Sequence, residues 1–178
     1  MRQRHSRQEL LEAAVALCLQ EGLSALTFGK VARAAGVPDR TVVYYFPNKE
    51  RLLEAVLDVL AQRVLALLDD GGVATRLPAH DLPAQLWPRL GGPGARSVMA
   101  VWIELFARGG TGEEPYQRLA RALAQGWLSW LAERVDAPTA QARADGAARA
   151  LAVLDGALLL RHVGLAAEAD AAVASQAD

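Results

Sequence analysis

The stretch Thr27–Phe46, with the sequence TFGKVARAAGVPDRTVVYYF, decides the fold of this 178-residue chain. Thr27 is a favourable N-cap residue, and the apolar residues that follow it recur at helical spacing, which predicts a short helix. Gly36 can adopt the positive φ that a tight turn between helices requires. A second short helix is predicted from about Asp39 to Phe46. Two short helices joined by a glycine-containing turn form a helix-turn-helix.

The second helix of this motif carries polar and aromatic residues on its outer face. Val42 and Phe46 are spaced to pack on a core. The residues predicted to point outward are then Arg40, Thr41, Tyr44 and Tyr45. Such side chains suit contacts to DNA phosphates and base edges. The same pattern also fits an ordinary helical hairpin with a solvated face, and the spacing alone leaves both interpretations open.

Residues 27–53 closely resemble the DNA-binding domain of TetR-family transcriptional regulators. The shared pattern begins with Thr27, continues with Val31 followed by alanine, and then has Ala-Gly-Val at 35–37. It continues with a threonine, an aliphatic residue and an aromatic pair before Phe46, and then Pro-x-Lys-Glu-x-Leu from Pro47. The resemblance extends over residues 6–60.

This resemblance implies the architecture and the function of the whole chain. The implied fold is all-α, with a three-helix helix-turn-helix domain at residues 4–64, its motif at 27–46, and a larger helical ligand-binding and dimerisation domain at residues 65–178. The implied function is a ligand-responsive repressor that binds a palindromic operator in double-stranded DNA as a homodimer. The alternative is a structural helix-turn-helix protein without ligand control.

The resemblance also implies individual DNA contacts. Thr27 matches a helix-capping threonine that can touch a phosphate, and Lys49 matches a phosphate-binding lysine. Thr41 and Tyr45 match positions that contact the DNA backbone, whereas Asp39 and Arg40 fall where family members read bases. The predicted DNA-binding residues are Thr27, Lys30, Asp39, Arg40, Thr41, Tyr44, Tyr45 and Lys49.

The motif departs from the family pattern at three positions. Val43 stands where a phosphate-binding tyrosine is usual, although Tyr44 lies beside it. Pro38 replaces a serine-type cap, which leaves Asp39 either as the cap or as a base-reading residue. Arg40 replaces a small residue. These departures leave the operator sequence unpredicted.

The charge distribution agrees with a DNA-binding first third. The net charge is −1, which argues against a general polyanion binder. However, residues 1–51 carry eight Lys/Arg and five Asp/Glu, whereas residues 52–178 carry eleven Lys/Arg and fifteen Asp/Glu. Only the first third is therefore expected to face a polyanion. Arg2, Arg4 and Arg7 form either an arm into the minor groove or a solvated terminus.

Other classes of protein find little support in the sequence. Cys18 is the only cysteine, which excludes an internal disulfide and indicates a reduced, cytoplasmic setting. Glu9 and Glu12 interrupt the apolar run of a signal-peptide-like N-terminus, and no apolar run is long enough for a membrane span. The histidines, His5, His80 and His162, lack metal-ligand spacing. We therefore expect no enzyme, no metal and no cofactor.

Outside the motif, the apolar periodicity predicts a helical chain throughout. Ser6 and Glu9 form a capping box for the first helix, which ends at Gly22, and Asn48 caps a long helix to Asp70. Its apolar stripe is predicted to be Leu52, Leu53, Val56, Leu60, Val64 and Leu67. Further helical segments are predicted at 81–90, 95–108, 113–135 and 138 to about 165, followed by a tail that is either a short helix or frayed.

The rear of the chain carries candidates for a ligand site. All four tryptophans lie behind residue 80, and with nearby apolar residues they line either a cavity or a plain core. Glu104 and Asp155 interrupt apolar runs, so each needs a partner, either an arginine such as Arg161 or a ligand. Two carboxylates among tryptophans would suit a cationic aromatic effector. The predicted ligand-binding residues are Trp87, Met99, Trp102, Ile103, Glu104, Phe106, Trp127, Trp130, Asp155 and His162.

The last long helix is apolar on two sides, which predicts two packing partners. One stripe runs from Leu151 to Leu165. The other includes Ala157 and Gly164, whose small size would allow close approach of the same helix from a second subunit. The sequence therefore predicts a homodimer held mainly by this helix, with the predicted helix at 113–135 as the second contributor.

Overall fold

The structure is a computed structural model that describes residues 6–69 and 76–174. Within these ranges the chain is all-α, as predicted, and a bridge between Leu77 and Val135 is the only extended pairing. The helices are α1 (Arg7–Glu21), a 3-10 turn (Leu23–Ala25), α2 (Phe28–Ala35), α3 (Asp39–Tyr45), α4 (Lys49–Asp69), α5 (Asp81–Leu90), α6 (Arg96–Gly110), α7 (Tyr116–Ala132), α8 (Ala140–His162) and α9 (Ala166–Ala174).

Local caps define the first helices where the sequence predicts them. The Ser6 hydroxyl accepts from the Glu9 amide while the Glu9 carboxylate accepts from the Ser6 amide, which completes the capping box of α1. The Thr27 hydroxyl accepts from the Lys30 amide and starts α2. Gly36 ends α2 with a φ of 67°, the left-handed conformation that glycine adopts without steric cost.

The long helix α4 follows α3 after a short turn. The Asn48 side chain accepts from the Arg51 amide at 2.9 Å, which confirms the predicted cap. The predicted stripe is buried up to Val64, but its last member is wrong: Leu67 is 37% exposed and Leu68 is fully buried. A step of four residues from Val64 keeps Leu68 on the buried face. The helix is continuous across residue 64, the predicted domain boundary, and Asp70 lies outside the described residues.

The helices behind α4 pack in sequence order. α6 packs on α7, α7 on α8 and α8 on α9, while α5 packs on α8. α6 also contacts α1 and the 3-10 turn, so the rear helices rest directly on the start of the DNA-binding part through these two elements. A helix was predicted at 113–135, but α7 is shorter because Pro115 occupies its N-cap position.

The end of α8 differs from the predicted one. The helix stops at His162, and Gly164 has a φ of 92° in the turn that leads into α9. Ala157, predicted to face a second subunit, is 1% exposed and belongs to the core of its own chain. A different row of small and apolar residues faces outward on α8 and its C-cap residue. It consists of Ala152, Gly156, Leu159 and Val163, which recur at steps of four, three and four residues.

Across the described ranges, no helix combines the length and the apolar character that a membrane crossing requires. Residues 6–69 and 76–174 also contain no group of three or more His, Cys, Asp or Glu side chains arranged to hold a metal ion.

Candidate DNA-binding and ligand sites

The outer face of α3 is the candidate DNA-binding surface. Val42 and Phe46 are at most 1% exposed and anchor the helix on the core. This anchoring turns Arg40, Val43 and Tyr44 toward solvent, with Tyr44 79% exposed. An anchored helix with a basic and aromatic outer face is arranged to enter a major groove.

Two of the residues predicted to point outward are only partly exposed. Thr41 is half-buried, and Tyr45 packs against the core. The Tyr44 ring meets the Tyr45 ring edge to face, with their centroids 5.0 Å apart. Thr41 and Tyr45 therefore lie at the edge of the face, where backbone contacts fit better than base contacts.

Charged and polar side chains flank α3 on both sides. Thr27 is exposed at the start of α2, and Lys49 is exposed as the first residue of α4. The Lys30 ammonium lies 2.7 Å from the Glu21 carboxylate in a half-exposed ion pair. Because such a pair is weak, Lys30 can leave Glu21 and bind a DNA phosphate instead. Asp39 is the first residue of α3 and Pro38 occupies the cap position, so the interpretation of Asp39 as the cap is wrong.

The predicted N-terminal arm is only partly within the described residues. Arg2 and Arg4 lie outside them. Arg7 is the first residue of α1, and its guanidinium lies 5.0 Å from the centroid of the Phe46 ring. Arg7 therefore packs beside the end of α3.

An aromatic cluster joins α6 and α7. The Trp102 ring stacks on Phe106 with centroids 5.0 Å apart, and meets Trp127 edge to face at 5.9 Å. Trp127 in turn contacts Trp130 at 5.6 Å. A groove of about 200 Å³ adjoins the cluster between α4 and α7, lined by Trp127, Trp130 and small or aliphatic side chains that include Leu65.

Asp155 lies at the edge of the same cluster. Its carboxylate is hydrogen-bonded by the Trp102 side chain, and burial raises the pKa of Asp155 to about 6. The predicted ion pair with Arg161 is wrong, because Arg161 pairs with Asp170 on α9. Asp155 makes no ion pair with any described residue, so a carboxyl group whose negative charge is unfavourable lies beside Trp102 at the edge of the cluster.

Glu104 has a role that neither interpretation of the sequence foresaw. Its carboxylate accepts hydrogen bonds from the backbone amides of Leu23, at 2.7 Å, and Ser24, at 3.0 Å. It thereby caps the 3-10 turn that connects α1 to α2, and Arg108 lies 4.0 Å away. Glu104 is thus satisfied chiefly by backbone amides, one on each carboxylate oxygen, rather than by a core ion pair.

Trp87 is separate from the other tryptophans, so the expectation that all four line one cavity is wrong. Its indole nitrogen donates to Asp170 at 2.6 Å, and the Arg161 guanidinium lies 4.8 Å from the centroid of its ring. Three other predicted ligand residues, Met99, Ile103 and His162, line a second cavity of about 360 Å³. The predicted ligand residues are thus dispersed: five belong to the aromatic cluster or its edge, three line this cavity, and Trp87 and Glu104 lie apart from both.

The comparisons with known proteins agree with this architecture. Residues 10–56 match the model of the bacterial regulatory proteins of the tetR family. Over 159 residues the chain is 30% identical to the HTH-type transcriptional regulator BetI of Rhizobium meliloti strain 1021, covering 84% of this chain and 74% of that protein. The chain belongs to the TetR family of transcriptional regulators.

Two further relatives extend over the rear helices as well. The HTH-type transcriptional repressor KstR of Mycolicibacterium smegmatis is 28% identical over 179 residues, with 84% of this chain and 88% of that protein covered. The crystal structure of the multidrug binding protein EbrR complexed with proflavin has a TM-score of 0.67 and 25% identity, with 96% of this chain and 97% of that one covered. The similarity to these proteins therefore spans both parts of the chain.

Proposed function

We propose that this TetR-family regulator is a ligand-responsive repressor that binds a near-palindromic operator as a homodimer. The observation that carries the proposal is the anchored helix α3 with Arg40 and Tyr44 on its free face. In this proposal residues 4–64 bind DNA, and residues 65–178 bind the ligand and the second subunit. Repression follows when the bound dimer blocks access to a promoter.

DNA recognition is divided between two kinds of contact. Arg40 and Tyr44 occupy the centre of the α3 face and are proposed to meet base edges. Thr27 and Lys49 lie at helix starts on either side and are proposed to meet phosphates. Selection of bound duplexes from a random pool tests this division, because a shared sequence with two inverted halves is expected and a random collection of duplexes would contradict it.

Dimerisation is proposed to use the outward row on α8. A single helix-turn-helix reads few base pairs, and a two-fold axis doubles the site. The row of Ala152, Gly156, Leu159 and Val163 combines small residues, which allow close approach, with apolar ones. Leu159 is 52% exposed and Val163 is 64% exposed. The contact of these apolar side chains with water is unfavourable in free energy, and burial against a second copy would remove it.

The proposed effector is an aromatic or apolar small molecule, and an aromatic cation fits the site best. Tryptophan faces attract cations, and a cation beside Asp155 would offset the cost of its buried negative charge. The groove between α4 and α7 gives such a molecule access to Trp127 and Trp130. The similarity to EbrR, whose structure holds proflavin, supports the same class of ligand.

Two contacts connect this ligand site to the DNA-binding helices. Glu104 on α6 holds the 3-10 turn after α1, and Trp102 of the cluster lies on the same helix. Arg118 on α7 pairs with Glu50 and Glu54 near the start of α4. A ligand that prefers a shifted position of α6 or α7 would therefore change the separation of the two recognition helices.

Tryptophan fluorescence tests the ligand part, because all four tryptophans lie behind residue 80. Titration with proflavin is expected to quench the emission and to release operator DNA over the same concentration range. Quenching without release, or neither effect across a panel of aromatic cations, would favour the alternative of a helix-turn-helix protein without ligand control.

A further inference from the structure

A second cavity lies on a different face of α6 from the aromatic cluster. It has a volume of about 360 Å³ and is enclosed by the end of α5, the start of α6, the end of α8 and the start of α9. Arg96, Met99 and Ile103 recur three and four residues apart, so they share one face of α6, whereas Trp102 lies about a quarter turn away. A ligand here would not touch the tryptophans of the cluster.

The cavity combines an apolar floor with a basic rim. Leu90, Met99 and Leu158 are buried beneath it. The charged or titratable side chains that line it are Arg96, Arg161 and His162, and no carboxylate is among the lining residues. Such a surface suits a molecule with an apolar body and an anionic head.

Arg161 is held in place with one donor unused. One of its terminal nitrogens donates to the Gly91 carbonyl at 2.6 Å and the other pairs with Asp170. Its Nε is buried and has no hydrogen-bond partner among the described residues. These contacts hold the guanidinium at the wall of the cavity, where the exposed part of the side chain can meet an anionic group.

Arg96 supplies the positive charge that is not already neutralised. Asp170 offsets much of the charge of Arg161, but Arg96 is exposed on the first turn of α6 and forms no ion pair with any described residue. Arg96 is therefore free to reach an anionic group at the rim, while the apolar part of the same molecule covers Met99 and Ile103.

We propose that this cavity binds an amphipathic organic anion, a medium-chain carboxylate, with its chain on the apolar floor and its carboxylate against Arg96 and Arg161. The cavity volume is at the small end of the range of ligand pockets, which suits a chain of roughly eight to twelve carbons. This site is independent of the proposed cation site, and its failure would leave the DNA-binding proposal untouched.

Calorimetric titration of the full chain with decanoate and decanol tests the proposal. Decanoate is expected to bind one site per chain, and decanol at least about tenfold more weakly because it lacks the charge. Arg96→Ala should weaken decanoate binding about tenfold, while Arg121→Ala, at an exposed position on α7, should leave it unchanged. Equal binding of decanoate and decanol, or unchanged binding by Arg96→Ala, would overturn the proposal.

A second variant tests the location. Ala166 is exposed at the start of α9 and lines the cavity, so Ala166→Phe should fill the space without disturbing the core. Loss of decanoate binding in this variant, with binding retained in Ala107→Phe at an exposed position of α6 outside the cavity, is the expected pattern. Unchanged decanoate binding by Ala166→Phe would place the anion elsewhere and overturn the proposal.

Discussion

Arg40 and Lys49 differ in how they are placed around α3, and this difference predicts different mutant phenotypes. Arg40 lies on the free face of the recognition helix, whereas Lys49 begins the next helix. Arg40→Ala should relax the base preference at one operator position by about 1–3 kcal/mol. Lys49→Ala should instead weaken binding to all sequences and reduce the salt slope by about one.

Fluorescence anisotropy with operator and shuffled duplexes, at several salt concentrations, measures both effects. Arg121→Ala provides a matched control, because it removes an exposed arginine from α7. If Arg40→Ala and Lys49→Ala both bind like the parent, this face of α3 is not the DNA-binding surface.

Asp155 predicts a pH dependence of stability whose sign follows from its surroundings. Burial raises its pKa from 3.8 to about 6, so the folded state binds more protons than the unfolded state between these values. Stability from this group is therefore present at low pH and is lost as the pH rises through about 6. Asp155→Asn removes the charge and should be more stable than the parent at pH 8, on the order of 1–2 kcal/mol, and equal at pH 4.

Urea unfolding of both proteins at the two pH values measures this difference. The same variant should lose affinity for proflavin, since the carboxylate is the proposed counter-charge of an aromatic cation. A parent and variant with equal stability at pH 8 would show that Asp155 is better solvated than its burial indicates.

At the scale of elements, the contact between α6 and the 3-10 turn predicts how a ligand signal reaches the DNA. Glu104→Ala leaves the amides of Leu23 and Ser24 without their acceptor, which should cost about 1–3 kcal/mol of stability. Hydrogen exchange at those two amides should accelerate. Proflavin should still bind Glu104→Ala but should release operator DNA less completely.

Glu114→Ala is the control for this experiment, because Glu114 is exposed in the turn before α7. Full release of operator DNA by proflavin in Glu104→Ala would show that the signal travels by another route, for which the Arg118 pairs with α4 are the next candidate.

Helix limits were predictable where local chemistry sets them. The capping box at Ser6, the Thr27 cap and the Asn48 cap depend on residues at most three apart, and all three were confirmed. The end of α8 was predicted too late, because the positive φ at Gly164 turns the chain before the apolar pattern stops. Apolar spacing alone does not show which side of a helix meets a neighbour, which is why Ala157 was misplaced.

At the scale of the whole molecule, the outward row on α8 predicts a homodimer whose subunits would dissociate if charged residues were introduced into that row. Leu159→Glu with Val163→Glu places two like charges at the proposed two-fold axis, where they would face their copies. Light scattering should then give a monomer of about 19 kDa, whereas the parent and Ala107→Glu should remain dimeric. The monomer should also lose most of its affinity for the two-half operator.

A parent protein that is monomeric at micromolar concentration and still binds the palindrome tightly would contradict the dimer proposal. A double variant that remains dimeric would instead move the interface away from α8. Circular dichroism of the variants confirms that the folded state is retained, because both substituted residues are more than half exposed.

The sequence by itself determined the helix-turn-helix, its turn at Gly36 and the family, because capping, turn conformation and apolar spacing act between residues close in the chain. Only the tertiary structure decided what the rear residues do. Glu104 meets an amide 81 residues away, and Trp87 meets an acid 83 residues away. Such pairings depend on how helices cross, which composition and periodicity do not encode locally, so three tryptophans form one cluster and the fourth belongs elsewhere.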